Sequence, residues 1–369
     1  MMQIQKLRLT YFRNFKTKLL EFSPDVTVII GPNASGKTNI LESLFVLATG
    51  KSFRARIEEE MINYSREIAR IKGLIKRDNQ KSRLEVVLTR GKLTIGTSPE
   101  RVEKVARKRL LLNGVGKRLI DFSGNFKVVL FGPWDLHLVT ESPSLRRRFL
   151  DTVLSQVDRE YRRASLSYEK GLRQRNRLLY QIREESWAIS GHARLLFWDR
   201  LLIKNGDYIS AKRGELISFI NARSDFNRQD FSLEYDKSAI SEARLAQYAQ
   251  EEIAAATTLV GPHRDDFCFR LRKNKHARDL SKYGSRGEQR MAVLWLKLAE
   301  LAYIEEQAED LSAQAGKPTL LLDDIFSELD HEHRKIVMQA SVKQQTIITT
   351  ADPHFIEGLK KVEKIRLEG

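Results

Sequence analysis

VTVIIGPNASGKTNILESLFVLA, residues 26–48, decides how this chain must fold. Val26 to Ile30 is a β-branched apolar run halted by Gly31 and Pro32, as a buried strand should be. Asn39 to Leu47 places apolar residues at helical spacing with no breaker before Gly50. Between them lie Gly31, Pro32, Asn33, Ala34, Ser35, Gly36, Lys37 and Thr38, a glycine, four residues, then Gly-Lys-Thr. Strand, glycine-rich turn and helix are the context in which this spacing cradles the phosphates of ATP. Gly31 and Gly36 admit backbone conformations that a Cβ would forbid, so successive N–H groups can converge on the β-phosphate. The helix opening near Lys37 adds its dipole. In such a loop Lys37 bridges the β- and γ-phosphates, and the Thr38 hydroxyl is a ligand of Mg2+.

Two further stretches answer this one. In PTLLLDDIFSELD, residues 318–330, the apolar strand Thr319 to Leu322 delivers Asp323 and Asp324 to its C-terminal end. Ligands of α/β sheets bind at that end. Asp323 fits the acidic partner that holds magnesium, usually through water, and Asp324 the group that polarises an attacking water. Read alone, the pair could simply cap the following helix. The third stretch, YGSRGEQRMAVLWLKLAELA from Tyr283, opens with Ser285-Arg286-Gly287-Glu288, a capping box ahead of a long and largely buried helix. Free N–H groups, the Ser285 hydroxyl and Gly287 together suit an anion. The phosphate loop already has a helix N-terminus of its own. This second one must bind something else, or serve another copy of the chain.

Texture gives the organisation. LRLTY, residues 7–11, alternates like a half-buried strand, and further short strands are expected around Ile71–Ile75, Leu84–Leu88 and Leu93–Ile95. From Ser144 some 35 positions carry apolar residues at helical spacing, and residues 192–222 and 241–256 repeat that texture. Strand-like sequence returns in TLLLDD and TIITT after Pro318. The expected fold is mixed α/β: a sheet-containing ATPase lobe from residues 1–135 and 308–369, and an inserted helical lobe, 136–307, carrying the Ser-x-Gly-Glu element. The helical part is too short and broken for a long coiled coil.

At 369 residues, 41% hydrophobic and 30% charged, the chain has the composition of a globular protein. No apolar run approaches the roughly 18–20 residues of a membrane span. MMQIQKLRLTYF reads as a strand rather than a signal peptide, so the cytoplasm is the expected compartment. Cys268 is the only cysteine, which excludes an intrachain disulfide and a multi-cysteine metal site. The net charge of +16 points to a polyanionic partner, DNA before an anionic membrane. Residues 101–118 hold seven cations to one anion, 146–178 ten to four and 270–290 eight to two, together +18 against the chain's +16. On a helix, Arg159, Arg162, Arg163, Lys170, Arg173 and Arg177 recur at spacings of three, four or seven. They share one broad face suited to a phosphate backbone, with few aromatics for base stacking. His263-Arg264-Asp265-Asp266 lacks further ligands in phase and reads as an ion-pair network rather than a metal site.

These elements resemble the SMC-like branch of ABC-type ATPases and, within it, the RecF family of recombinational-repair proteins. The phrases that carry the likeness are LRLTYFRNF (7–15), GPNASGKTNILESLFVLATGKSFR (31–54), GPWDLHLVTESPSLRRRFLD (132–151), TLVGPHRDDF (258–267), YGSRGEQR (283–290) and LLLDDIFSELD (320–330). They span nearly the whole chain. The resemblance implies ATP and Mg2+ on Gly31 to Thr38 with Asp323 and Asp324, and nucleotide contacts from Arg13 and Asn14. It implies that Ser285 and Gly287 touch the γ-phosphate of ATP held by a facing subunit, in a head-to-tail dimer, with Ser327 to Asp330 as the loop crossing the seam. As activity it implies a weak ATPase that clamps duplex DNA or single-strand/double-strand junctions. As partners it implies RecR (with RecO) and the recombinase RecA. Two departures point to slow turnover. Asp324 stands where such ATPases usually carry glutamate, and Thr349-Thr350 stands at the usual switch histidine unless His354 reaches back. The Q-loop glutamine has no clear counterpart. An OLD-like ATPase-nuclease would need a carboxylate-rich domain after SELD, where about 40 residues remain. LRLTYFRNF, the basic excess and the Asp-Asp pair argue against an ABC transporter subunit.

Overall fold

The computed structural model describes residues 2–78, 80–95, 101–185, 190–273, 276–311, 317–327, 329–352, 354 and 362–368. The chain divides into two compact units, Met1–Asp135 with Glu300–Gly369, and Leu136–Ala299. Among the described residues no helix is long and apolar enough to cross a membrane.

The first unit holds a five-stranded parallel sheet in the order Val128–Phe131, Thr319–Asp323, Thr346–Thr350, Val26–Ile30, Val362–Arg366. Thr319–Asp323 and Thr346–Thr350 are buried at every residue, which is why they read as unbroken apolar or small-residue runs. Register brings Asp323 beside Thr349, and Thr350 beside Ile30, so the phosphate loop and the acidic pair leave the sheet at the same end. A second sheet is antiparallel and six-stranded, in the order Phe15–Glu21, Met2–Phe12, Ile68–Arg77, Gln80–Thr89, Lys108–Leu112, Val115–Lys117. The strands expected near 71–75, 84–88 and 93–95 are present as Ile68–Arg77, Gln80–Thr89 and Lys92–Ile95.

Helix Lys37–Thr49 packs against both sheets. Leu41, Leu44 and Leu47 share one core with Leu7, Leu9, Ile71 and Val86 of the antiparallel sheet and with Val128, Leu321 and Ile347 of the parallel one. A helix apolar on every side has to be covered on every side. Gln345 stitches the unit at a register irregularity between Ile4 and Lys6. Its Nε2 donates to the carbonyls of Ile4 and Ser23, each at 2.8 Å, and its Oε1 accepts from the Ile4 N–H at 2.8 Å.

In the second unit the long helical stretch breaks at Asp158 into Pro143–Val157 and Arg159–Glu185. Asp158 caps the new helix, accepting from the Tyr161 N–H at 2.9 Å. Helix Ser190–Asn221 runs back along Arg159–Glu185: Arg175 meets Asp199 and Tyr161 meets Arg213. The insertion is not all helix. It contains a four-stranded antiparallel sheet, Asp225–Phe226, Gln229–Asp236, Asp266–Lys273 and His276–Asp279. Phe231 and Leu233, and likewise Phe267, Phe269 and Leu271, alternate into its core. Under the sheet lies the charge network expected for His263 to Asp266. The fully buried Asp265 takes hydrogen bonds from Tyr235 Oη at 2.5 Å, Arg213 Nη1 at 3.0 Å and the Ser238 N–H at 2.8 Å.

Candidate functional site

The loop after Val26–Ile30 is wound tightly. Gly36, at φ 98°, ends it in the left-handed region, where a Cβ would stand 2.6 Å from Phe15 Cζ and 2.8 Å from Asn14 Nδ2. Gly31 is closed in as well, since a Cβ there would meet Ser35 Oγ at 2.7 Å. Helix Lys37–Thr49 starts with no side-chain cap. No side chain thus caps its first N–H groups, which suits them to an anion. The Lys37 ammonium, nearly buried, donates to the carbonyls of Gly31 at 2.7 Å and Pro32 at 2.8 Å. It is thus held over the loop that an anion would fill. Ser35 Oγ is buried with no hydrogen-bond partner among the described residues.

Thr38 Oγ1 donates to Asp323 Oδ2 at 2.7 Å, although 285 residues separate them. The other carboxylate oxygen, Oδ1, accepts from the Thr349 hydroxyl. Asp323 is almost fully buried. A hydroxyl and a carboxylate at the strand end are hard oxygen donors, the chemistry that suits magnesium. Asp324 takes φ 48°, and its N–H is held by the carbonyl of Thr349 at 3.1 Å and its hydroxyl at 3.2 Å. That left-handed conformation favours aspartate over a longer side chain, a backbone reason for the missing glutamate. Thr349 is thereby occupied in bracing both aspartates. His354 is exposed, its N–H bonded to Asp352 Oδ1 at 2.9 Å. Ser327 Oγ donates to the Asp324 carbonyl at 2.7 Å, and Asp330 caps helix His331–Ser341; Glu328 lies outside the described residues.

Asn14 and Arg13 are used differently. Asn14 Nδ2 reaches the Ser35 carbonyl at 3.4 Å, and its Oδ1 accepts from Asn39 Nδ2 at 2.6 Å, so it is seated on the loop. Arg13 spends its donors elsewhere. Nε and Nη2 lie 2.9 and 2.7 Å from the two oxygens of Glu42, and Nη1 is 2.6 Å from the Glu60 carbonyl. Glu42, fully buried in the central helix, also accepts from Arg54 Nη2 at 2.8 Å and from Ser52 Oγ at 2.5 Å. Burial alone would raise its carboxyl pKa; the hydrogen bonds from Arg13, Arg54 and Ser52 outweigh it and hold the group below its ordinary value. Arg54 also donates to Asn39 Oδ1. Motif and spacing do not point to Glu42, Ser52, Asn39 or Arg54. The one available signal is a glutamate inside an otherwise apolar helix, which demands partners.

Ser285 and Gly287 belong to the other unit. The capping box forms: the Ser285 N–H donates to Glu288 Oε2 at 2.9 Å, and the Glu288 N–H to Ser285 Oγ at 3.3 Å. Both residues are exposed, and a Cβ on Gly287 would meet nothing within 4 Å.

A family model described as "RecF/RecN/SMC N terminal domain" matches residues 3–368. A DNA replication and repair protein RecF from Lachnoclostridium phytofermentans is 34% identical over 376 residues, covering 99% of this chain and 97% of that protein. The chain belongs to the RecF family. A solved structure described as the recombination mediator protein RecF-ATP in the RecFOR pathway matches with TM-score 0.82 at 29% identity, covering 97% of this chain and 94% of that one. The head domain of an Smc protein from Pyrococcus furiosus, 15% identical, matches with TM-score 0.50 over 100% of this chain and 94% of its own, and shares the fold. RecF membership makes the chain an ABC-type ATP-binding protein.

Proposed function

We propose that the chain is an ATP-gated DNA-binding protein of replication and recombinational repair. ATP binds on Gly31 to Thr38, with Asn14 bracing the loop. Mg2+ is held by Thr38 and, through water, by Asp323. Arg13 acts on this site through Glu42. The observation that carries this reading is the Thr38–Asp323 hydrogen bond, which joins phosphate loop and acidic strand in one pair of hard oxygen donors. Ser285 and Gly287, exposed at the start of helix Arg286–Leu311, take the γ-phosphate of ATP on a second copy, so that two nucleotides close a head-to-tail dimer. The ATPase lobe is residues 1–135 with 308–369, and 136–307 is the lobe that presents Ser285. In that dimer the clamp accepts duplex DNA or a single-strand/double-strand junction, and RecR with RecO and the recombinase RecA are the partners that the family resemblance implies. Asp324 polarises the attacking water from a short side chain. A poorly placed base costs on the order of 10²- to 10⁴-fold, so turnover falls well below the enzyme median of roughly 10 per second. ATP then acts as a slow timer for release.

Light scattering tests the reading. Wild type should be monomeric without nucleotide and dimeric with ATP, and Ser285→Arg should stay monomeric while binding ATP with unchanged affinity. Lys37→Ala should lose ATP binding itself. Equal mass with and without ATP would remove the sandwich.

A further inference from the structure

The antiparallel sheet has two unlike faces. One carries Leu7, Leu9, Ile71, Leu84, Val86 and Leu110 into the core. Alternation turns their neighbours to the opposite face. The register lines up the outward residues across strands. Arg8 stands beside Lys72, and Lys72 beside Glu85. One row over, Thr10 stands beside Arg70, Arg70 beside Val87, and Val87 beside Arg109. On the other side, Lys6 is next to Leu74 and Leu74 next to Arg83; beyond them, Lys76 is next to Lys81. Eight cations thus share a face on which, among the described residues, the carboxylates are Glu21, paired with Lys6 at 2.7 Å, and the buried Glu85, shared by Arg70 at 3.2 Å and Lys72 at 3.3 Å. Among the described residues Arg8, Arg83 and Arg109 have no carboxylate partner, and all three are exposed.

We propose that this outer sheet face is a second surface for duplex DNA, gripping its phosphate backbone. The inference rests on the DNA-binding reading above and adds a surface on the ATPase unit. Successive outward side chains lie about 6.8 Å apart along a strand and strands about 4.8 Å apart, so the cations cover a patch roughly 15–20 Å across. A duplex carries one phosphate charge per about 1.7 Å of axis, so that length offers about ten. Among the described residues, the apolar side chains that the register lines up on this face are aliphatic: Leu19, Leu74, Val87 and Leu111. Base stacking has nothing to work with, and contacts to a backbone do. The helix face on Arg159–Glu185 is the weaker of the two in one respect: Arg163 and Arg173 are bound to Glu160 and Glu169 on the same helix.

The test is a titration of fluorescent duplex DNA, with ATP, across a salt series. Changing Arg8, Arg83 and Arg109 together to Ala should flatten the slope of log affinity against log salt by up to about 2.7, near 0.9 for each phosphate left unneutralised. Changing the same three to Lys should keep the wild-type slope, because gripping a backbone phosphate needs charge rather than a guanidinium fork. Melting temperature and ATP affinity, measured on both variants, should match wild type. A wild-type slope in the folded, ATP-binding Ala variant overturns the inference and leaves the face to an acidic protein partner. Wild type that binds no duplex at any salt overturns instead the DNA-binding reading, and the inference with it.

Discussion

Glu42 in one unit and Asp265 in the other are both completely buried and answered with arginine, yet the two sites do different work. Asp265 is sealed: Arg213, itself almost fully buried, closes one side, and Tyr235 with the Ser238 N–H closes the other. Nothing in that network is left to respond to a ligand. Glu42 is sealed only from behind. Its arginines are graded outward, Arg13 at 19% exposure and Arg54 at 38%, and Arg54 leads through Asn39 and Asn14 to the Ser35 carbonyl of the phosphate loop. The same chemistry makes a rivet in one unit and a lever beside a binding loop in the other. Wild-type behaviour cannot separate these roles, but substitutions can.

The largest effect belongs to the rivet. Asp265→Ala leaves Arg213 charged and buried with its main interior partner gone, and removing one member of a buried pair typically costs about 3–5 kcal/mol. The variant should melt far below wild type or fail to accumulate, and whatever folds should still bind ATP with ordinary affinity. A melting temperature within a degree or two of wild type would show that Asp151, which also holds Arg213 at 2.8 Å, carries the network alone.

Next comes acid. Burial, the largest influence, pushes the His263 pKa down from 6.5 to about 4. The ring is fixed as the neutral Nε2–H form, because the Thr258 carbonyl 3.0 Å from Nε2 can only accept; Nδ1 then accepts from Tyr168 Oη at 2.8 Å. Between pH 6.5 and about 4 the unfolded chain takes up a proton that the folded chain refuses. Stability therefore falls as pH falls through that window, by up to about 3 kcal/mol. His263→Gln should flatten this limb of the stability curve in urea melts taken from pH 7 to 4. If the limb keeps its slope, another group is responsible for it.

What is legible in the sequence and what is hidden follow from distance along the chain. The phosphate loop is eight consecutive residues, and TLLLDD is a strand with its ligands attached, so local pattern suffices for both. Glu42 stands out as a charge among leucines, but Arg13 and Arg54 lie 29 and 12 residues away, and no periodicity joins them. Asp158 looks like one more polar position on a helix until its side chain turns back to cap Tyr161. The sheet within the helical insertion rests on strands of mixed polar sequence, such as DFCFRLRK, whose alternation is masked by arginines. The outward cations of the antiparallel sheet are the hardest to see. They come from four strands, and of them only Arg109 falls in the three basic stretches that composition picks out.

The smallest expected stability effect is at Glu42, and it decides the comparison. Glu42→Gln keeps the size of the side chain and one acceptor, but turns the other acceptor into an NH2 group that faces a guanidinium. Either Arg13 or Arg54 must then let go. Arg54 is the more exposed and can turn to solvent at small cost. The net loss should resemble that of one hydrogen bond to a charged group, about 1.5–3 kcal/mol, and less than Asp265→Ala. Function should suffer out of proportion. Once Arg54 leaves Asn39, the link through Asn14 to the Ser35 carbonyl is no longer braced, and the phosphate loop must be ordered by the nucleotide itself. Calorimetric titration should then show weaker ATP binding in Glu42→Gln at a temperature where the protein is fully folded. Asp265→Asn, its counterpart in the other unit, should bind ATP as wild type does. Unchanged ATP affinity in Glu42→Gln beside a lowered melting temperature would make Glu42 a rivet too, and the distinction between the two buried carboxylates would be one of exposure without consequence.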